Sequence, residues 1–246
     1  MSSSLYEGAR LAHILVGVAV LASFWWAALA VKGSETHRRA GRIYLVSMAM
    51  LLAATLVIAA GHVVNGTPMR AVFNVYVTLI SVVTVWMAWR SIEDRRDPRR
   101  YLGWPYRVLC AALGGYALFL LVLVPKMGEP ARMAMVTAFA LLGLSISAAM
   151  AWRLKRGADT PRWWLAEHLT AMALNFGATH ASFSLLAGGA TVLPALKDPW
   201  VRTAVLAGWM IAAWSLRFWA GRRWLGARAA ADAAPVAVGR ALESRA

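Results

Sequence analysis

Five histidines are the residues of this sequence with the clearest potential for chemistry. An imidazole nitrogen binds zinc, copper or haem iron, and it exchanges protons near neutral pH. His13, His62 and His180 each fall near the same end of a long apolar segment, which predicts a common depth. Three neutral imidazoles at one depth predict a site for haem b or for a zinc or copper ion. The alternative is that each ring binds a backbone carbonyl or a lipid headgroup.

A second group of polar residues follows one face of the sixth apolar segment. His168, Asn175, Thr179 and Ser182 share this face at offsets of 7, 11 and 14 residues. Such a polar stripe predicts contact with neighbouring helices or a cavity, and interhelical hydrogen bonds of about 0.6 kcal/mol each would also explain it. His168 and His180 differ by 12 residues and therefore point about 120° apart, which counts against two haems stacked along one face.

Seven apolar runs must position these residues. The chain has 246 residues, of which 60% are hydrophobic and only 15% charged. Each run is long enough to cross about 30 Å of hydrocarbon as a helix. The sequence therefore predicts an all-α polytopic membrane protein, a seven-transmembrane-helix bundle in one domain of residues 1–225. The predicted spans are 11–31, 43–64, 72–89, 107–124, 131–152, 163–187 and 200–219, and residues 226–246 are predicted to be a disordered tail.

The Lys and Arg residues predict the orientation. Most of the 26 cations lie in the first, third and fifth connections and in the C-terminal segment. Cation-rich connections face the cytoplasm, which places the N-terminus outside and the C-terminus inside. The first connection is the predicted cytoplasmic loop, a cationic surface suited to anionic lipid headgroups. The residues assigned to this loop surface are Lys32, His37, Arg38, Arg39 and Arg42.

Charge placement also narrows the function classes. None of the 11 acidic residues lies in the middle of an apolar run, which disfavours an ion pump. Glu167 lies about one turn inside its segment and is predicted to be an interface residue near Arg162. A zinc hydrolase ranks low because the runs lack a His-x-x-x-His pair. The net charge of +15 suits a membrane surface, and no nucleic-acid partner is predicted.

Two parts of the chain resemble a known family. His13-Ile14 with Gly17, and then Lys32-Gly33, His37-Arg38 and Gly41-Arg42, look like the start of a family of bacterial membrane proteins classed only as a domain of unknown function. The segments around Glu167-His168, Met172 and Ala181-Ser182-Phe183 are similar to its late region. The resemblance implies a multi-pass membrane protein and no established reaction.

Together these observations predict a multi-pass protein of the bacterial inner membrane. The leading functional hypothesis is an outer-leaflet histidine site that binds haem or a metal ion, in a redox or metal-handling role. The first alternative is a non-enzymatic assembly or partner-binding module, including a homo-oligomer, that uses the cationic loops. The second is a small-solute transporter.

Overall fold

The computed structural model describes residues 3–158, 160–187 and 194–226, and this part of the chain is almost entirely helical. Residues 227–246, which hold nearly all of the predicted tail, lie outside the described part. Eight α-helices follow in chain order, one of them a single short turn. They are α1 (Ser3–Leu29), α2 (Glu35–Val64), α3 (Pro68–Glu93), α4 (Pro98–Tyr101), α5 (Trp104–Leu123), α6 (Pro130–Arg156), α7 (Trp163–Ala187) and α8 (Pro199–Gly221).

Each predicted apolar run coincides with one long helix, so the all-helical prediction is confirmed. In the described part, five helices are long and apolar enough to cross a membrane: α1, α2, α3, α6, and α4 with α5 taken together. Helices α7 and α8 fall outside that set. Polar residues such as Glu167 and Asn175 in α7, and Arg202 and Arg217 in α8, lower the mean hydropathy of these two helices.

Helix ends follow their local sequence signals. Prolines stand at the first or second position of α3, α4, α5, α6 and α8, where a missing N–H costs no helical hydrogen bond. The connection between α1 and α2 turns sharply at Gly33, whose φ of +81° suits a residue without a side chain. The Ser34 hydroxyl then accepts a hydrogen bond from the His37 backbone N–H at 3.2 Å. Ser34 is thus the N-cap of α2.

Helices α3 and α7 run side by side through the middle of the bundle, and α8 packs on α7. The α1–α2 hairpin packs along α3 on one side, and the α5–α6 hairpin lies on the other. The larger apolar core is formed by α3, α4, α5, α6 and α7, with fully buried Tyr76, Tyr101, Tyr106 and Leu113. A smaller core, built around Phe24, connects the α1–α2 hairpin to α7 and α8.

Two glycines allow the helices around the larger core to approach closely. A side chain at Gly114 would meet the Ser147 hydroxyl at 2.6 Å, and Ser147 donates a hydrogen bond to the Cys110 carbonyl at 2.9 Å. A side chain at Gly143 would meet the hydroxyl of Tyr76. The Tyr76 hydroxyl donates to the Phe139 carbonyl at 3.0 Å, so α3 is bonded to the backbone of α6 at this point.

Replacing Gly143 with alanine should therefore destabilise the bundle. The new methyl group displaces the buried Tyr76 hydroxyl, which then leaves its carbonyl partner, and such overpacking costs about 1–3 kcal/mol. Unfolding of the purified protein by denaturing detergent measures the change. The matched control is Gly115→Ala, because a side chain at Gly115 meets no atom within 4 Å. Equal stability of the two variants would contradict this account of the helix contact.

Candidate functional site

Contacts with helix α1 give the relative depths of the three predicted site histidines in the bundle. His62 packs its ring edge-on against Tyr6, with 5.9 Å between ring centroids. His13 follows Tyr6 by seven residues, which is about 10 Å of helix rise. His180 accepts a hydrogen bond at 2.9 Å from the indole N–H of Trp25, which lies twelve residues beyond His13. Twelve residues correspond to about 18 Å, so the three imidazoles lie at three different levels.

The predicted common depth of His13, His62 and His180 is therefore wrong. The α1–α2 hairpin is shifted along the bundle relative to α7: Trp25 lies near the end of α1, whereas its partner His180 lies well inside α7. Depths counted from helix ends are comparable only when the ends are level. In the described part of the chain, no group of three His, Cys, Asp or Glu side chains is close enough to hold a metal ion.

His180 has both ring nitrogens occupied. The Trp25 indole donates to Nε2, which must therefore carry a lone pair and no proton. Nδ1 carries the proton and donates it to the Phe176 carbonyl at 2.8 Å. The rings of Phe24, Phe176 and Trp209 surround the imidazole, with centroid distances of 6.0, 4.3 and 4.9 Å. A metal ion would have to displace the Trp25 indole to reach this histidine.

His13 and His62 each place Nδ1 beside a threonine hydroxyl. Nδ1 of His13 lies 3.1 Å from the Thr55 hydroxyl, which already donates its hydrogen to the Leu51 carbonyl. Nδ1 of His62 lies 3.0 Å from the Thr67 hydroxyl, which donates to the carbonyl of His62 itself. Each threonine must therefore accept a hydrogen bond from Nδ1–H. Both rings leave Nε2 without a hydrogen-bond partner among the described residues, but they lie too far apart to share one ion.

His37 and His168 are held more firmly, because each ring is bonded to the backbone of another segment. Nδ1 of His37 lies 2.9 Å from the Ala27 carbonyl of α1, and Nδ1 of His168 lies 2.9 Å from the Ala88 carbonyl of α3. A carbonyl only accepts, so Nδ1 carries the proton in both rings. His37 is thereby held at the end of α1 and His168 near the end of α3.

Glu167 joins three elements at this end of the bundle. Its carboxylate accepts one hydrogen bond from Arg153 Nε of α6 at 2.9 Å and another from the Tyr101 hydroxyl of α4 at 3.2 Å. Its side chain is only 12% exposed. The sequence predicted an interface residue near Arg162, whereas the ion pair in the structure is with Arg153. The pair links the end of α6 to the start of α7.

The predicted polar stripe of α7 faces protein over part of its length. Asn175 is buried at 1% exposure, and its side-chain oxygen accepts from the Thr84 hydroxyl of α3 at 3.2 Å. His168 contacts α3 in the same way, and Thr179 is partly buried. Ser182, however, is exposed. The stripe thus binds α3 along the first half of α7 and leaves that interface near its end.

The predicted cytoplasmic loop divides into two parts. Lys32 turns back, and its ammonium donates to carbonyls at the end of α1, including Ala27 at 3.1 Å. Burial lowers the pKa of the Lys32 ammonium below its ordinary value. Arg38, Arg39 and Arg42 are exposed and form the outer surface of the loop.

Sequence reasoning missed a buried acid at the end of α3. Asp94 is 3% exposed and pairs with Arg90 and Arg100. One signal was present, because Arg90 and Asp94 stand four residues apart, the spacing of an ion pair on one helix face. The contribution of Arg100 could not be read from spacing, since it depends on the turn that leads into α4.

Comparisons with models of known families, with curated proteins and with solved structures found no match for this chain. Membership of the bacterial family that the sequence resembles therefore stays a prediction. The contacts themselves single out one region: the end of the bundle that gathers Glu167, His168, His37 and Lys32.

Replacing Glu167 with glutamine should weaken the bundle at this end. The amide can still accept from Tyr101, but the Arg153 guanidinium loses its counter-charge in a largely buried place. We expect a loss of about 1–3 kcal/mol in the free energy of unfolding, measured by denaturing detergent. A double-mutant cycle with Arg153→Met isolates the pair.

The matched control is the exposed pair between Glu35 and Arg39, whose side chains are 65% and 66% exposed. Glu35→Gln should change the stability by at most about 1 kcal/mol. A Glu167→Gln effect no larger than this control would contradict the assigned role of the buried pair.

Proposed function

We propose that this chain is a plasma-membrane protein with seven crossings, an outer N-terminus and an inner face that binds anionic lipid headgroups. It would then be a membrane-embedded binding module that acts through the charged end of the bundle. The charged end is the one that carries Lys32, His37, Glu167 and His168. The earlier hypothesis of one haem or metal site formed by His13, His62 and His180 has lost its geometric support, because the three rings lie at different levels.

The helix contacts support the seven crossings. Ala88 near the end of α3 meets His168 near the start of α7, and the end of α6 meets α7 through Arg153 and Glu167. Arg217 near the end of α8 donates to Thr170 of α7 at 2.7 Å. These helix ends lie together, which supports a common end for the cation-rich connections after α3 and α6 and for the end of α8. Despite their lower hydropathy, α7 would span the membrane shielded by its neighbours, and α8 would turn exposed apolar side chains such as Ile211 and Phe218 toward lipid.

One observation carries the proposal: exposed indoles stand next to exposed cations at this end of the bundle. Trp89, Trp104 and Trp152 are 46%, 75% and 59% exposed. The Arg156 guanidinium lies 4.6 Å from the ring centroid of Trp152. Indoles prefer the headgroup level of a bilayer, and arginine side chains reach past them to the phosphates.

The strongest part of this surface is the connection between α3 and α5. Arg95, Arg96 and Arg99 are exposed there beside Trp104. We call Arg95, Arg96 and Arg99 the arginine patch. A basic residue near an anionic membrane surface contributes about 1 kcal/mol of binding, so the patch alone favours an anionic lipid strongly.

Charge reversal of the arginine patch tests the proposal. The triple variant Arg95→Glu, Arg96→Glu and Arg99→Glu should retain at least tenfold less phosphatidylglycerol than the unchanged protein. The retained lipid is counted by native mass spectrometry after purification from mixed phosphatidylglycerol and phosphatidylcholine. Retention of phosphatidylcholine should not change, because its headgroup carries no net charge.

The control variant reverses cations at the other end of the bundle: Arg70→Glu, Lys126→Glu and Arg202→Glu. It should retain phosphatidylglycerol as the unchanged protein does. Equal loss in both triple variants would show a general effect of net charge and would overturn the proposed lipid-binding face. Capture of a specific protein through the arginine patch, with no preference among lipids, would replace it by a partner-binding role.

A further inference from the structure

His37 and His168 lie at one level of the bundle, as the smaller core shows. The Phe24 ring contacts both Tyr44 of α2 and Phe176 of α7, with centroid distances of 6.0 and 5.8 Å. Tyr44 and Phe176 therefore both lie near the level of Phe24. His37 precedes Tyr44 by seven residues and His168 precedes Phe176 by eight, which corresponds to about 10 and 12 Å of helix rise.

The directions of the helices make these two distances comparable. Helix α7 is antiparallel to α3, because His168 pairs with Ala88 and Asn175 with Thr84. Helix α2 is also antiparallel to α3, since only residues 65–67 separate them. Helices α2 and α7 thus run the same way, and both histidines lie toward the charged end. Seven residues make two turns, so His37 stands on the same face of α2 as buried Tyr44.

Both imidazoles are held by a hydrogen bond at one ring nitrogen, as metal-binding histidines usually are. A backbone carbonyl takes the Nδ1 proton of each ring at 2.9 Å, which fixes the tautomer and the ring orientation. Nε2 of each ring then carries a lone pair, and it meets no hydrogen-bond partner among the described residues. In His180, by contrast, Nε2 accepts a hydrogen bond from Trp25 and has no free lone pair.

We propose that His37 and His168 form a two-imidazole binding site for a copper ion at the charged end of the bundle. This site is separate from the arginine patch and from the predicted trio. It uses His37 in the first turn of α2 and His168 of α7, neither of which belongs to the arginine patch, so either proposal can fail without the other.

Copper fits the donor set better than zinc does. Two imidazoles without a carboxylate fall short of the four ligands of a usual zinc site. Met172 follows His168 by one turn on the same helix face and packs against both cores, which brings a thioether to this region. Imidazole and thioether ligands favour copper, whose divalent form also binds most tightly among the first-row ions.

The surrounding charges favour a singly charged ion, Cu(I). The ammonium of Lys32 donates to the same Ala27 carbonyl as His37, and it would repel a divalent ion more strongly. Its charge is partly offset, because it donates to carbonyls at the C-terminal end of α1, where the helix dipole is negative. His37 is only partly buried, so an ion can enter from the charged end.

Titration of the purified, metal-free protein with Cu(I) against a chromogenic chelator tests the site. The unchanged protein should bind one equivalent per chain. His37→Gln and His168→Gln should each weaken the affinity at least tenfold, because glutamine can still donate to the carbonyl but offers no imidazole. Met172→Leu should weaken Cu(I) binding and leave Zn²⁺ binding as it was.

His13→Gln and His62→Gln are the matched controls, since these rings also carry an open Nε2, and both variants should bind Cu(I) normally. Helix content and elution volume are measured for every variant. If one of the His37→Gln and His168→Gln variants misfolds, it is excluded and the other one tests the site. The proposal is overturned by the absence of a saturable equivalent of Cu(I). Binding that depends on His13 or His62, or that survives loss of both His37 and His168, would overturn it equally.

Discussion

Hydrogen bonds from side chains to the backbone carbonyls of neighbouring helices tie this bundle together. Tyr76 of α3 donates to the Phe139 carbonyl of α6, and Tyr116 of α5 donates to the Val72 carbonyl of α3, both at 3.0 Å. A helical carbonyl already accepts one bond and has a second lone pair to offer. In an apolar surrounding, a buried polar group that lacks a partner is costly, so these contacts also fix which helix faces meet.

The cost of an unpaired buried polar group also explains why these histidines and charged side chains lie at one end of the bundle. His37 and His168 satisfy Nδ1 on helix carbonyls, and the charges of Glu167 and Asp94 are held by arginines. The middle of the bundle keeps only neutral groups, such as Asn175, that are bonded locally. A binding role at the charged end therefore needs no charge inside the hydrocarbon.

Much of the fold could be predicted from the sequence, because a helix is the only way for a single apolar run to bond its own backbone in lipid. The seven long helices and the Ser34 cap follow from local signals of this kind. The shift of the α1–α2 hairpin could not be predicted, since it depends on how Phe24 and Trp25 pack against α7. That shift separates His13 from His180. The ion pair of Glu167 with Arg153 could not be predicted from the sequence either, because the turn between α6 and α7 determines which cation lies near Glu167.

The central claim is that the end of the bundle carrying these groups faces the cytoplasm. Cys110 is buried and is the single cysteine of the chain, so a Cys110→Ser background allows one new cysteine to be placed at a time. A membrane-impermeant maleimide applied to intact cells should label Asn65→Cys, between α2 and α3. It should label Thr36→Cys, in the first turn of α2, only after the membrane is opened. Labelling of Thr36→Cys in intact cells with protection of Asn65→Cys would contradict the account.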